Sequence, residues 1–259
     1  MTRIYWCEFP SECNWKNISS WMKGETLITY IACTSRENYE KQKQEIQKDY
    51  KNIEVNAWPI LPKEKGYWFS GYTAKKNIDA LDQYRGLKIK LDIEPPIPKT
   101  YSFFTALDWL FLNLFRTAPN KEYLQQKINS LSKDTDIILS SFPLPAFLLK
   151  QWGWAENKKI KYNYMFYSSF IPKILLPFYK MYYKNFCKNK NAFFALGIIG
   201  HGIFNNEPRY KNVQELKQDI RFFRKIKKDN LVFFELSGLS KEKEYFLATR
   251  EKDIRRESS

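Results

Sequence analysis

Hydrophobic and polar positions alternate most regularly between Leu87 and Glu94, where Leu87, Ile89, Leu91 and Ile93 interleave with Lys88, Lys90, Asp92 and Glu94. A period of two predicts a strand with one aliphatic and one charged edge, and Pro95-Pro96 ends it. Strand-like runs recur at 3–9, 26–34, 53–60, 87–94, 135–142, 160–168, 192–199 and 230–236. Helical patterns follow them at 15–23, 36–50, 71–84, 100–131 (broken at Pro119), 143–152, 172–188, 211–228 and 240–252. The clearest carries Val213, Leu216, Ile220, Phe223 and Ile226 as an apolar stripe at helical spacing. Eight strand–helix pairs predict an α/β fold, a single (β/α)8 TIM barrel spanning residues 1–259. An open doubly wound sheet ordinarily has a Gly-rich turn after its first strand, whereas Cys7-Glu8-Phe9-Pro10-Ser11 has no glycine.

In such a barrel the aliphatic edge packs under the outer helices and the charged edge lines the interior. Asp92 and Glu94 then reach the C-terminal mouth, where barrel enzymes carry out their chemistry. A water-washed sheet edge is the alternative reading of the same alternation. Other strands repeat the polarity. Glu54, Asn56 and Trp58 oppose Ile53, Val55 and Ala57, and Glu8 shares a face with Ile4 and Trp6. On the eighth strand Glu235 shares a face with Phe233, opposite Val232, Phe234 and Leu236. Glu8, Asp92, Glu94 and Glu235 are therefore expected at one mouth. Either Glu8 or Glu235 taken alone reads better as a rim carboxylate in a salt bridge; four acids at strand ends together point to a site.

Composition narrows the chemistry. Aromatic residues make up 17% of the chain, which argues for a packed globule. Cys7, Cys13, Cys33 and Cys187 form no C-x-x-C pair, and His201 is the single histidine, so neither a Cys/His zinc site nor another metal site is expected. Scattered thiols suit a reducing, cytoplasmic setting. The run Arg3–Phe9 reads as a strand and not as a leader, and no apolar run is long enough to span a bilayer. The net charge of +15 fits either compositional bias toward lysine or attraction to an anionic surface. No nucleic-acid motif accompanies it.

Asp92 and Glu94 lie two apart on a strand, ~7 Å at Cα and on one side. Each carboxylate favours the neutral form of the other, which suits a general acid. Cleavage of a glycosidic bond needs such an acid and a second group for the oxocarbenium-like centre, with no cofactor. Trp58, Tyr67 and Trp68 supply aromatic platforms for sugar rings, with Asn56 and His201 as polar neighbours. Packing between loop and helix is the plainer role for the aromatics.

Asp92-Ile93-Glu94 at the end of a fourth strand resembles the tail of the D-x-x-D-x-D-x-E signature of chitinase-like, family 18 glycoside hydrolases. That resemblance implies Glu94 as proton donor, Asp92 as the group orienting a substrate N-acetyl, and Tyr164 or Tyr167 as its supporting tyrosine. Leu87 and Lys90 stand where the signature has its two earlier acids. A conventional pair, Glu94 with Glu235, is the simpler arrangement. The array Lys88, Lys90, Asp92 is also similar to that of orotidine-phosphate decarboxylases, which implies a lysine-assisted lyase. Gly197-Ile198-Ile199-Gly200-His201-Gly202 would be its phosphate loop, or else a tight βα turn.

One segment points to membranes. Within 170–194, Lys180, Lys184 and Lys188 fall four apart among large apolar residues, preceded by Lys173. A basic, aromatic, amphipathic helix reads as an interfacial element. A second apolar stretch, 103–112, follows the fourth strand. Together they suggest a peripheral protein acting on a carbohydrate or glycolipid, such as a lipid-linked or membrane-proximal glycan; a non-catalytic basic membrane binder is the other class. Two outer barrel helices with buried faces would give the same pattern.

Overall fold

The computed structural model describes residues 3–96, 113, 116–189, 192–203 and 207–251. Eight parallel strands close in chain order: β1 (Arg3–Cys7), β2 (Leu27–Cys33), β3 (Ile53–Pro59), β4 (Lys88–Asp92), β5 (Asp136–Ser141), β6 (Lys161–Phe166), β7 (Ala192–Leu196) and β8 (Leu231–Phe234). Closure is made by β8 pairing with β1, from Arg3 opposite Leu231 to Trp6 opposite Phe234. The fold is a (β/α)8 barrel, as the alternation predicts.

Helices α1 (Trp15–Trp21), α2 (Arg36–Asp49), α3 (Lys75–Asp79), α4 (Lys121–Leu131), α5 (Ala146–Gln151), α6 (Leu176–Tyr183), α7 (Val213–Lys225), α8 (Leu236–Leu239) and α9 (Lys243–Arg250) connect or follow the strands. Their starts are set locally. The Ser35 side chain accepts from the N–H of Asn38 at α2, and that of Asn212 accepts from the N–H of Glu215 at α7. Val213, Leu216, Ile220 and Phe223 bury the stripe of α7. Most helices are shorter than their sequence patterns, since a stripe marks the buried face while caps decide the ends. The apolar stretch 103–112 lies outside the described residues.

Strand parity divides the core in two. Tyr5, Cys7, Ile31, Val55, Ala57, Ile89, Leu91 and Leu139 pack outward under the helices. Ile4, Trp6, Tyr30, Trp58, Ile138, Phe193, Ala195, Val232 and Phe234 fill the barrel interior. Strand β8 departs from the expected parity: Phe233 joins the outer core, and Val232 and Phe234 point in. Glu235 follows the last strand residue and begins the turn into α8, so alternation no longer governs its direction.

Candidate active site at the barrel mouth

The charged edge of β4 is sorted by depth. Lys88, at the N-terminal end, is exposed and pairs with Glu54 at 2.9 Å. Lys90, Asp92 and Glu94 are buried, at 1–2% exposure. Burial of three ionisable groups in a row is tolerated only with partners. Lys90 Nζ lies 2.8 Å from Asp92 Oδ2 and sits over the rings of Trp58, at 3.2 Å from the centroid, and Trp6, at 4.9 Å. The inward set of β1 and β3 thus forms an aromatic seat for the lysine, and the lysine holds one oxygen of Asp92.

Above that pair, two loops are stitched together. The N–H of Glu94 donates to the carbonyl of Phe69 at 3.1 Å, and Phe69 bridges to Ile93. The loop after β3 bends through Gly66 and Tyr67, at φ +102° and +67°, a left-handed pair that costs a side-chain-bearing residue energy. Any Cβ at position 66 would approach Pro96 to 3.2 Å. The bend delivers the Tyr67 hydroxyl to Glu8, where it donates to Oε1 at 2.8 Å.

The four acids do come to the same end of the barrel, in two different roles. Glu235 accepts the N–H groups of Glu8 and Phe9 on Oε1, at 3.0 and 3.5 Å, and that of Gly238 on Oε2, at 3.1 Å, alongside the Ser237 hydroxyl. It caps α8 and ties β8 to the loop after β1. Burial pushes its carboxyl up to about 7 against the opposing pull of those donors. Glu8 is raised to about 8 by burial, which the Tyr67 hydrogen bond only partly offsets, with Glu235 and Glu207 repelling its charge. Glu94 is raised well above the ordinary carboxylate range by burial first and by Asp92 second, and Lys90 pulls the other way. Burial pulls Lys90 down from the ordinary lysine range, with Asp92 opposing. Among the described residues, Asp92 Oδ1, Glu8 Oε2, Asn163 Oδ1 and the indole N–H groups of Trp6 and Trp58 are buried with no hydrogen-bond partner.

The remaining expected residues separate. Tyr167 stacks on Phe234 at 5.8 Å between centroids, and Asp92 and Glu94 raise its hydroxyl after burial does. Tyr164 has the opposite direction: it packs outward on Trp154 and Phe186 and does not reach the acids, because Asn163, Met165 and Tyr167 hold the inward parity of β6. Trp68 is half-buried against Tyr67. Asn56 is buried in the lower interior and donates to Glu54 at 3.2 Å. His201 faces Glu12 at 2.9 Å and Phe9 on the rim, so it does not assist Glu94. The glycines around it serve close approach: a Cβ on Gly200 would fall 2.7 Å from the Cα of Gly238. Trp6 and Asn163, with the Ser140 hydroxyl at 2.8 Å from Asn163 Nδ2, are interior polar residues that the sequence reading did not single out. Strand parity already sets Trp6 on the face of Glu8, and the same parity on β6 points to Asn163.

A separate cleft of about 730 Å³ opens between the loop after β6 and the start of α7, lined by Ser168, Phe170, Lys173, Arg209, Lys211 and Glu215 among others. None of the four acids lines it. Among the described residues, no group of three or more His, Cys, Asp or Glu side chains could hold a metal ion.

No protein-family model and no curated protein matches the chain. Among solved structures, it is similar to the PgaB (BpsB) glycoside hydrolase domain from Bordetella bronchiseptica, with TM-score 0.55 and 8% identity over 96% of this chain and 98% of that one. A truncated 3-deoxy-D-arabino-heptulosonate 7-phosphate synthase from Thermotoga maritima superposes with TM-score 0.43 at 10% identity, covering 91% and 74% of the two chains. At these identities the likeness is one of fold.

Proposed function

We propose that the chain is a glycoside hydrolase-like enzyme in which Glu94 is the general acid. The observation that carries this reading is a buried carboxyl held toward its neutral form at the C-terminal end of a (β/α)8 barrel, two residues from Asp92, whose charge Lys90 supports. Glu94 gives its proton to the glycosidic oxygen as the bond from that oxygen to C1 breaks, and the electron pair leaves with the oxygen. The positive charge growing at C1 is met by Asp92, directly or through a substrate N-acetyl group as the family 18 resemblance implies. Water then adds to C1, and Glu94, now a carboxylate, takes its proton.

Asp92 suits the partner role better than Glu235 does. Oδ1 of Asp92 has no partner among the described residues, whereas donors hold both oxygens of Glu235. Tyr67 and Tyr167 stand beside the acids, with Trp68 edge-on to Tyr67, and the unpaired carboxylate oxygens are acceptors suited to sugar hydroxyls. The fold likeness to a domain described as a glycoside hydrolase agrees with this reading. With aryl glycosides of N-acetylhexosamine oligomers as probes, Glu94→Gln should lower turnover about 10²–10⁴-fold while leaving probe affinity within a few-fold. Unchanged turnover would remove Glu94 from the mechanism.

Lysine-assisted lyase chemistry is the second reading, because burial favours the free amine of Lys90. It requires Lys90 to leave Asp92 and form an imine with a carbonyl substrate. Borohydride trapping of a covalent adduct on Lys90 with pyruvate or a sugar-phosphate aldehyde would decide for it.

A further inference from the structure

The longest acid-free stretch of the chain also carries most of the large apolar side chains exposed among the described residues. From Asn157 to Asn206 there are eight lysines and no aspartate or glutamate. Within it, Ile174, Leu175, Phe178 and Met181 are 81, 51, 65 and 65% exposed, on α6 and the turn that leads into it. Phe147, 67% exposed, stands on α5, and the Tyr182 hydroxyl ties α6 to the loop before α5 by donating to the Pro143 carbonyl at 2.7 Å. Side chains of this size exposed together mark an interaction surface. The opposite side of α6 is fully engaged: Tyr179 and Tyr183 pack on Phe166, and the Tyr183 hydroxyl donates to the Tyr164 carbonyl at 2.6 Å. The exposed side is therefore not a core face left open by chance.

We propose that this face rests on an anionic lipid bilayer, with Ile174, Leu175, Phe178 and Met181 inserted among the headgroups. Charge selects the occupant. Lys173, Lys184 and Lys188 are exposed beside the apolar residues, while Lys180 points inward to Asp219 at 3.0 Å and over Phe222, and so belongs to the α6–α7 packing. Of the three, Lys173 has Glu215 at 3.5 Å but keeps 80% of its side chain exposed. A prolyl turn followed by one short amphipathic helix, rimmed by lysines whose long stems reach the phosphates, matches the interfacial mode of binding. Because α6 follows the C-terminal end of β6, the bilayer would lie on the side of the barrel where Tyr167 and the acids sit. Substrates presented from a lipid surface would then meet the site; that consequence rests on the hydrolase reading, and the docking does not.

Co-sedimentation of the full chain with vesicles of phosphatidylserine and phosphatidylcholine tests the proposal. Wild type and Glu94→Gln should bind alike, pure phosphatidylcholine at least tenfold more weakly. Lys184→Glu/Lys188→Glu should lose at least about fivefold per lysine, and Phe178→Asp/Met181→Asp at least tenfold with unchanged circular dichroism. Absence of vesicle binding would overturn it, as would equal binding to both lipids or binding indifferent to the Phe178/Met181 pair. Self-association in sedimentation velocity that the same pair abolishes would assign the face to a second copy of the chain instead.

Discussion

At the residue scale the site rests on a buried ion pair. Lys90 and Asp92 have side-chain exposures of 2% each and lie 2.8 Å apart. Removing one partner of such a pair leaves an uncompensated charge, at a cost of about 3–5 kcal/mol, whereas removing both is far milder. Lys90→Met should therefore destabilise the chain by about that amount in urea titrations, and Lys90→Met with Asp92→Asn should recover most of the loss. Additive losses would mean that the two groups do not interact. Tyr67 gives a second expectation at this scale. Its hydroxyl is the main influence holding the Glu8 carboxyl down, so Tyr67→Phe should move the Glu8 titration above about 8, as read by NMR of the side-chain carboxyl.

Which side chains could be foreseen follows from the same scale. The alternation from Leu87 to Glu94 puts Lys90, Asp92 and Glu94 in one phase and the aliphatic residues in the other, and it is closure of the barrel that turns the charged phase inward rather than to water. Parity failed on β8, where Phe233 turns outward, and Glu235 reaches the same end of the barrel through a backbone turn invisible in the residue pattern. It could not say that Lys90 would settle between two indoles, since Trp6 and Trp58 lie far away in sequence and meet it only on closure.

At the scale of elements, the loop after β3 is what brings Tyr67 and the β4 end together. Gly66 takes φ +102° where a Cβ would also press on Pro96. Gly66→Ala should cost about 1–2 kcal/mol in stability and change both KM and kcat, because the loop carries Tyr67 and its Phe69 carbonyl accepts the N–H of Glu94. Unchanged melting and kinetics would show that the bend is not needed. The helices were legible as apolar stripes, α7 best of all, but their lengths were not. The pattern at 172–188 reads as one amphipathic helix, whereas α6 spans Leu176–Tyr183, between a prolyl turn and the short turn Phe186–Lys188.

At the scale of the whole molecule, closure of eight strands concentrates ionisable groups at one end, and stability should record it. Glu8 and Glu235 are raised to about 8 and about 7 in the folded chain, above the unfolded carboxylate value, and Glu94 is raised as well. Between the unfolded and folded values the native state binds more protons than the unfolded state does. The contribution of these groups is therefore complete at mildly acid pH and is lost as pH rises toward 8. The unfolding free energy should fall across roughly pH 5–8, by on the order of 1–4 kcal/mol per group, carrying the denaturation midpoint down with it, and Glu8→Gln should flatten the slope. A midpoint that rises over this range would mean that the acids are ionised throughout.

The central claim is that Glu94 enters the reaction protonated. Single-turnover hydrolysis of an aryl N-acetylhexosaminide, followed against pH, measures that state most directly. The account predicts a rate that is level on the acid side and falls about tenfold per pH unit once Glu94 ionises, well above the ordinary carboxylate range. A rate that stays level or climbs through the alkaline range would contradict it.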